Sequence, residues 1–363
     1  MKDYLELRGY IKNMQILSTD RDFEAITNDN LLHNRLNIRV RPLKSTTLGV
    51  ELRNRIFTGE SVDAVPNYGS LVAQDSGLLD MSLILAETDA LVVLSQVDRL
   101  WINWSNEKWE VRAGRQRINW GINLFWNSND VFNAYSLIDF DYEERPGVDA
   151  IRVQRHFSKM RSVDIAIKPS EHDDKWIGAG MYRFNKWGYD IQLLGSWWNE
   201  DVAVGAGWAG NIKNAGLKGE ATYFHPQSNW QDTTGEWSAS VSADYVFANQ
   251  LFLTGGFLFA STGVDSSFTI DQALISTVPS AKRLMPAKYN LLGNLAYPVS
   301  PLFQLGLVTT YSPGVNSLFV MPSAGYSIAD NWEVALFGQS YWLDTGKFIN
   351  LGNGVFIRLK GSF

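Results

Sequence analysis

Ten basic side chains recur through the first 152 residues: Arg8 and Lys12, then Arg35, Arg39 and Arg41, Arg53 and Arg55, then Arg99, Arg112 and Arg152. Cations spaced by two share one face of an extended strand, where guanidinium groups could bind carboxylate or phosphate through paired N–H donors. Five carboxylates, Asp130, Asp139, Asp141, Glu143 and Glu144, fall in a single segment, 118–146, among Trp120, Phe125, Trp126, Phe132, Tyr135 and Phe140. Exposing that much aromatic surface to water is unfavourable, so the segment is expected to fold inward and set its acids opposite the arginines. Its alternative is to pack on a rim or a neighbouring subunit. Later in the chain the matching positions are small or neutral: Ala203, Gly205 and Gly207, then Ser238, Ser240 and Ser242. One wall is therefore basic and the other nearly neutral.

Other chemistries find less support. The four histidines, His33, His156, His172 and His225, lie on separate segments with no nucleophile at motif spacing, so no catalytic residue is assigned and no enzyme is expected. The acidic stretches STDRDFEAITNDN and PSEHDDK would suit a hard cation but match no calcium-loop spacing, so no metal ligand is named. No cofactor is expected either. Without cysteine there is no disulfide, thiolate metal site or covalently attached haem. A net charge of −6 argues against nucleic acid, which demands a basic footprint.

The elements that carry these residues alternate with period two. In GNGVFIRLKGSF, 352–363, Val355, Ile357, Leu359 and Phe363 take one side, and Phe356, Arg358, Lys360 and Ser362 the other. The same template fits 4–16, 32–41, 46–57, 96–105, 108–117, 147–157, 160–169, 175–185, 188–198, 201–211, 214–224, 234–247, 250–261, 286–297, 301–312, 315–327 and 331–343. That makes about eighteen strands. Pro322, which cannot donate to a ladder, and apolar residues on both faces of 250–261 leave sixteen as the alternative count. Even-numbered connections are tight and the long ones, 18–29, 58–95, 118–146, 225–233 and 262–285, are all odd-numbered. The stretch LLDMSLILAETDALVVLSQ, 78–96, fits a short helix or further strand residues.

Aromatic residues sort by height. Trp104, Trp109, Tyr189, Phe247, Tyr297, Phe303, Tyr326, Trp332 and Phe363 flank the tight turns, and Trp197, Tyr223, Trp237, Phe259, Tyr311 and Trp342 lie towards the other strand ends. Two belts of amphipathic rings on the apolar side point to the two interfaces of a lipid bilayer. No run approaches the roughly 20 apolar residues of a spanning helix. Strands in hydrocarbon must pair every backbone group, so the sheet must close, last strand on first. The expected fold is all-β: one transmembrane up-and-down antiparallel barrel over residues 1–363. MKDYLELRGY carries no apolar signal segment, so an exported protein would have this as its mature start with Met supplied.

The ending resembles the C-terminal signal of Gram-negative outer-membrane β-barrels, with Ile357, Leu359 and Phe363 matching the alternating strand that closes on Phe. WEVRAGRQRINWGINLFWNSNDVFNA, 109–134, resembles the Gly-Arg-Gln strand end and following loop of porin-like families, through Gly114, Arg115, Gln116, Asn129 and Asp130. These resemblances imply the outer membrane as location, insertion by the barrel-assembly machinery, short periplasmic turns and long extracellular loops. A barrel of this size encloses an aqueous channel unless plugged, so the expected function is passive diffusion of small hydrophilic solutes, with anions favoured by the arginine wall. The alternative is a barrel subunit of a multiprotein complex, with a secretion, lipoprotein or electron-transfer partner, whose lumen is plugged or occupied. Either could be a homo-oligomer.

Overall fold

A computed structural model describes residues 4–21, 24–75, 77–134, 145, 147–170, 175–266 and 280–363. The chain forms β1 (Leu5–Thr19), β2 (Ile26–Leu43), β3 (Thr46–Gly59), α1 (Glu60–Ala64), α2 (Tyr68–Val72), β4 (Ser82–Thr88), β5 (Leu91–Ser105), β6 (Trp109–Gln116), β7 (Val148–Ser158), β8 (Arg161–Lys168), β9 (Ile177–Lys186) and β10 (Tyr189–Trp198). It continues with β11 (Asp201–Ile212), β12 (Ala215–Pro226), β13 (Glu236–Val246), β14 (Phe252–Ala260), β15 (Tyr289–Ser300), β16 (Phe303–Ser312), β17 (Ser317–Ala329), β18 (Trp332–Asp344) and β19 (Phe348–Ser362). All but β4 form a closed antiparallel barrel of eighteen strands.

Closure runs through the first and last strands, from Tyr10 opposite Ser362 to Thr19 opposite Asn353. At the end of this seam Gly9 and Phe363 donate to each other's carbonyls, both at 2.9 Å. The eight connections at the rim shared with the termini are short, such as 44–45, 187–188 and 330–331. Trp187 and Gly188 both take left-handed φ, 57° and 79°, as a two-residue hairpin turn between right-twisted strands demands.

Pro322 neither ends β17 nor shifts its register. The pairing of β17 with β18 keeps one register from Val320 opposite Ser340 to Ser323 opposite Phe337, and the proline faces Gly338 across the gap. No bulge forms there, because the missing N–H costs a single ladder bond next to a residue with no side chain. The doubly apolar β14 is also intact: Leu258 is fully buried against Trp126, Leu284 and Leu292, so its inner face meets protein. Strand β5 starts at Leu91 and β4 is a nineteenth strand, which settles the ambiguity of 78–96.

The apolar side of the alternation faces away from the lumen. Ile165, Leu193, Val204, Leu305, Leu336 and Ile357 are all exposed. Rings meet across strands at both heights, with Phe303 and Tyr326 6.4 Å apart near the short turns and Tyr223 and Trp237 4.9 Å apart near the far rim. Among the described residues no helix is long and apolar enough to cross a membrane. Nitroxide labels at Leu305 and Ile165 are expected to relax with dissolved oxygen and resist a water-soluble nickel chelate in liposomes. A label at Arg53 should show the reverse, and equal behaviour at all three would contradict a lipid-facing wall.

Candidate functional site

The lumen is narrowed where β6 ends early. Strand β6 pairs with β5 only between Leu100 and Ser105 and then leaves the wall. The edge that it abandons is taken over by β4, which pairs with β5 from Gln96 to Leu91. An unpaired edge at that place would expose a row of backbone donors and acceptors. The departure uses the Gly-Arg-Gln residues. Gly114 has φ of 107°, and a Cβ on it would lie 2.3 Å from the carbonyl oxygen of Leu100. Arg115 is then buried between two carboxylates, 2.5 Å from Asp75 and 3.0 Å from Asp149, and also donates to the Leu79 carbonyl at 2.6 Å. Gln116 donates to the Ala150 carbonyl at 2.9 Å. These contacts tie the strand end to the connection that carries β4.

From there 117–134 folds into the barrel and lies on the small-residue wall. Ile118, Trp120, Val131 and Phe132 are buried against Ala150, Ala166, Ala179, Met181, Leu194, Ala203 and Phe224 of β7 to β12. The neutral positions seen in the sequence are its seat. Asn129 stacks its amide over Gly205 and Gly207, where any Cβ would come within 3 Å of it. Ser128 meets Ser238 at 3.0 Å, Ser240 donates to the Trp126 carbonyl at 2.8 Å, and Ser242 donates to Asn123 at 2.7 Å. Glu220 of β12 is the central anchor. Its carboxylate accepts the backbone N–H groups of Ile122, of Asn123 at 2.7 Å and of Asn129 at 2.9 Å. Trp120 donates to Asp164 at 2.9 Å.

The predicted cations occupy β1, β2, β3, β5, β6 and β7 and are held by acids. Arg35 is fully buried between Glu51 at 2.6 Å and Asp98 at 2.7 Å. Arg53 lies 3.8 Å from Asp98, and Arg99 3.2 Å from Glu51. Arg8 and Arg41 share Glu6, at 2.7 and 2.9 Å. Arg112 pairs with Glu110 at 2.9 Å and stacks on Trp101, and Arg152 chelates Asp164. Lys12 is buried beside Tyr10, Arg55 donates to the Val72 carbonyl, and Arg39 is exposed. Of the predicted loop acids, Asp130 is buried with Arg145 at 3.2 Å. Asp139, Asp141, Glu143 and Glu144 lie outside the described residues. At the other end of the chain Ile357, Leu359 and Phe363 are exposed on the outer face.

Four positions that build this region escaped sequence reading. Asp98 faces the lumen because a bulge sets it and Arg99 on the same side, whereas unbroken alternation from Arg99 puts it in lipid. Glu220, Asp164 and Arg183 read as solitary charges on separate strands, and the one available signal was an acid beside the glycines of a neutral wall. A cavity of about 560 Å³ opens beneath the folded segment, lined by Asn119, Ile122, His156, Lys159, Arg161 and Arg183 among others. Arg183 makes no hydrogen bond or ion pair among the described residues, while Arg161 is held by the Tyr182 hydroxyl at 2.9 Å. No metal-binding cluster occurs among the described residues.

No family model matches this chain, and no curated protein does. Solved structures match it end to end. OccAB4 of Acinetobacter baumannii superposes with a TM-score of 0.62 at 8% identity over 99% of this chain and 98% of its own. OccK8 (OprE) of Pseudomonas aeruginosa gives 0.61 at 9% over 99% and 98%, and a BenF-like porin of Pseudomonas fluorescens Pf-5 gives 0.60 at 9% over 99% of both. The eighteen-stranded barrel of this chain thus has the fold of Gram-negative outer-membrane porins.

Burial raises the Asp130 carboxyl to about 7, outweighing the attraction of Arg145. An unfolded Asp titrates near 4, so between about pH 4 and 7 the folded state holds the extra proton and the seat of the segment weakens as pH rises. Asp130→Asn is expected to flatten the pH dependence of single-channel noise over that interval. Glu220→Ala strips the acceptor from three backbone donors, at about 1–3 kcal/mol for each one left buried and unpaired. The expected result is a larger, noisier conductance and new proteolytic cleavage within 118–134.

Proposed function

We propose that this chain is an outer-membrane porin through which small polar solutes diffuse passively, with a preference for anions. The full-length likeness to porins supports the channel reading, and the charge of the lumen supports the preference. Among the described residues, seven of the ten predicted cations form ion pairs with Glu6, Glu51, Asp98, Glu110 and Asp164. The single observation that carries the reading is Arg183: a guanidinium with no hydrogen bond or ion pair among the described residues, attracted by Asp164 from beyond ion-pair distance, in a cavity lined also by Lys159, Arg161 and one acid, Asp190. A solute carboxylate or phosphate would complete it. Of the five constriction acids, Asp130 pairs with Arg145 and the other four lie outside the described residues, while the backbone and amides of 117–134 line the narrowing. Ile357, Leu359 and Phe363 would serve the assembly machinery during insertion.

The partner-filled alternative draws on the same inward segment, because 117–134 occupies the β7–β12 side of the lumen. Liposome swelling with graded sugars separates the two: a diffusion channel admits the smaller ones, and a plugged barrel admits none. In planar bilayers under a salt gradient, Arg39→Gln, Arg53→Gln and Arg112→Gln together, and Arg183→Gln alone, are expected to move the reversal potential towards cation selectivity. Unchanged selectivity and conductance in both variants would reject the anionic preference.

A further inference from the structure

Among the described strand residues, the exposed cations on the lipid side of the wall are three: Arg155 on β7, Arg161 on β8 and Lys186 on β9. The register fixes their side. Arg155 stands between Trp109 of the aromatic belt and Val163, Val163 stands opposite Tyr182, and Arg161 shares the face of Val163 and the exposed Ile165. Lys186 shares the face of Tyr182 and Phe184, whereas Ala179 and Met181 are buried on the other face in the cluster formed with the inward segment. The three cations therefore lie on consecutive strands beside the short turns, at the height of the belt.

None of the three makes an ion pair among the described residues. Arg155 is held by rings, its guanidinium carbon 5.0 Å from the centroid of Trp109 and 4.9 Å from that of Phe157, and it makes no hydrogen bond to the described residues. Its planar fork of N–H donors is positioned and unspent. Arg161 borders the lumenal cavity but turns its guanidinium outward, donating to the Tyr182 hydroxyl from Nε at 3.1 Å and from Nη2 at 2.9 Å. That hydroxyl keeps its own proton to donate. Lys186 lies over the exposed Trp187 ring at 4.2 Å. The adjoining turns add Lys108 and Lys159 against one acid, Glu107.

Above these cations the wall has a shallow groove. Gly180 of β9 faces Gly195 of β10 on the lipid side, and a Cβ on Gly195 would meet nothing within 4 Å, one on Gly180 only Ile165 at 4.0 Å. Ile165 and Val204, each opposite one of the glycines, form the sides, and Trp176 stacked on Trp197 at 5.7 Å closes the outer end. Gly180 is six residues from Lys186, about 15 Å at roughly 2.5 Å of height per residue, which is the depth of one leaflet in a ~30 Å core. A second pair of facing lipid-side glycines, Gly255 and Gly293, joins β14 to β15, and neither strand carries a charged residue. Groove and cations coincide in the first case only.

We propose that the β7–β10 face holds an anionic glycerophospholipid of the periplasmic leaflet, with its phosphate between Arg155, Arg161 and Tyr182 and an acyl chain along the groove at Gly180 and Gly195. The charge is complementary: cations without ion pairs at the depth of the headgroups meet the one anion that a bilayer places there. Arg155 and Tyr182 stand two strands apart, about 10 Å between Cα atoms, a gap that their long side chains narrow from both sides over Val163. A guanidinium takes two phosphate oxygens through paired N–H groups. Lys186, nearer the rim, meets the headgroup beyond the phosphate, where it repels the ammonium of a zwitterionic lipid and leaves an anionic one favoured.

The test uses the full-length chain in liposomes, with one fluorophore on an introduced thiol at Leu193→Cys beside Gly195 or at Leu253→Cys beside Gly255; the chain has no cysteine of its own. Quenching by phosphatidylglycerol brominated on its acyl chains is compared with quenching by phosphatidylcholine brominated in the same way. At position 193 the expected association constant for phosphatidylglycerol exceeds that for phosphatidylcholine roughly fivefold or more, and at 253 the two are equal. Arg155→Gln, Arg161→Gln and Lys186→Gln together should bring the ratio at 193 down to that at 253, in samples that keep the unboiled gel mobility of a folded barrel. Equal ratios at 193 and 253 in the chain with its cations intact, or a preference at 193 that survives in the folded triple variant, would each overturn the proposal. Should the triple variant fail to fold, the comparison of 193 with 253 in the chain with its cations intact decides the matter.

Discussion

A peptide group in hydrocarbon has no water to bond, so each strand in the wall needs a neighbour on both sides along its whole length. The rest of the architecture follows from that constraint. It brings the carbonyl of Phe363 to the amide of Gly9 and closes the sheet. It also explains why β4 exists: once β6 turns inward at Gly114, the outer half of β5 would be a bare edge, and Ser82–Thr88 supplies the missing ladder. The inward segment is therefore linked to an external connection through Arg115, Asp75 and Asp149, and the constriction and the rim are one structure.

Inside the barrel a different requirement governs. The segment 117–134 runs without regular hydrogen bonding of its own, and its backbone groups must find partners among wall side chains. Glu220 and the serine row on β13 provide them, while Gly205 and Gly207 admit the Asn129 amide at contact distance. A single carboxylate facing three N–H donors acts as a cap would at a helix start. The basic strands are organised around their own acids, with Arg35, Glu51, Asp98 and Arg99 forming a buried chain of charge. Such pairs fix geometry more than they add stability, since desolvation offsets much of the Coulomb gain. Beneath the segment lies the cavity lined by Arg183, Arg161 and Lys159.

The alternation, the turn spacing and the aromatic heights determined the barrel and which face meets lipid, because a period of two along an extended chain fixes sidedness without reference to any partner, while the choice between eighteen strands and sixteen fell to the structure. The strands that carry the ten cations were legible for the same reason. What the segment rests on was not. Ala203, Gly205 and Ser240 are unremarkable as residues and become a seat only when β11 and β13 stand side by side behind 117–134. Asp98 needed the bulge that breaks alternation, and β4 needed the gap left by β6. Glu220 lies 91 residues from Asn129 in sequence, and nothing local to either distinguishes an anchor from a solvated charge. Sidedness is a property of one strand and can be read along it. Partnership across the lumen depends on which strands the closed sheet sets opposite each other, and the tertiary structure alone decided that.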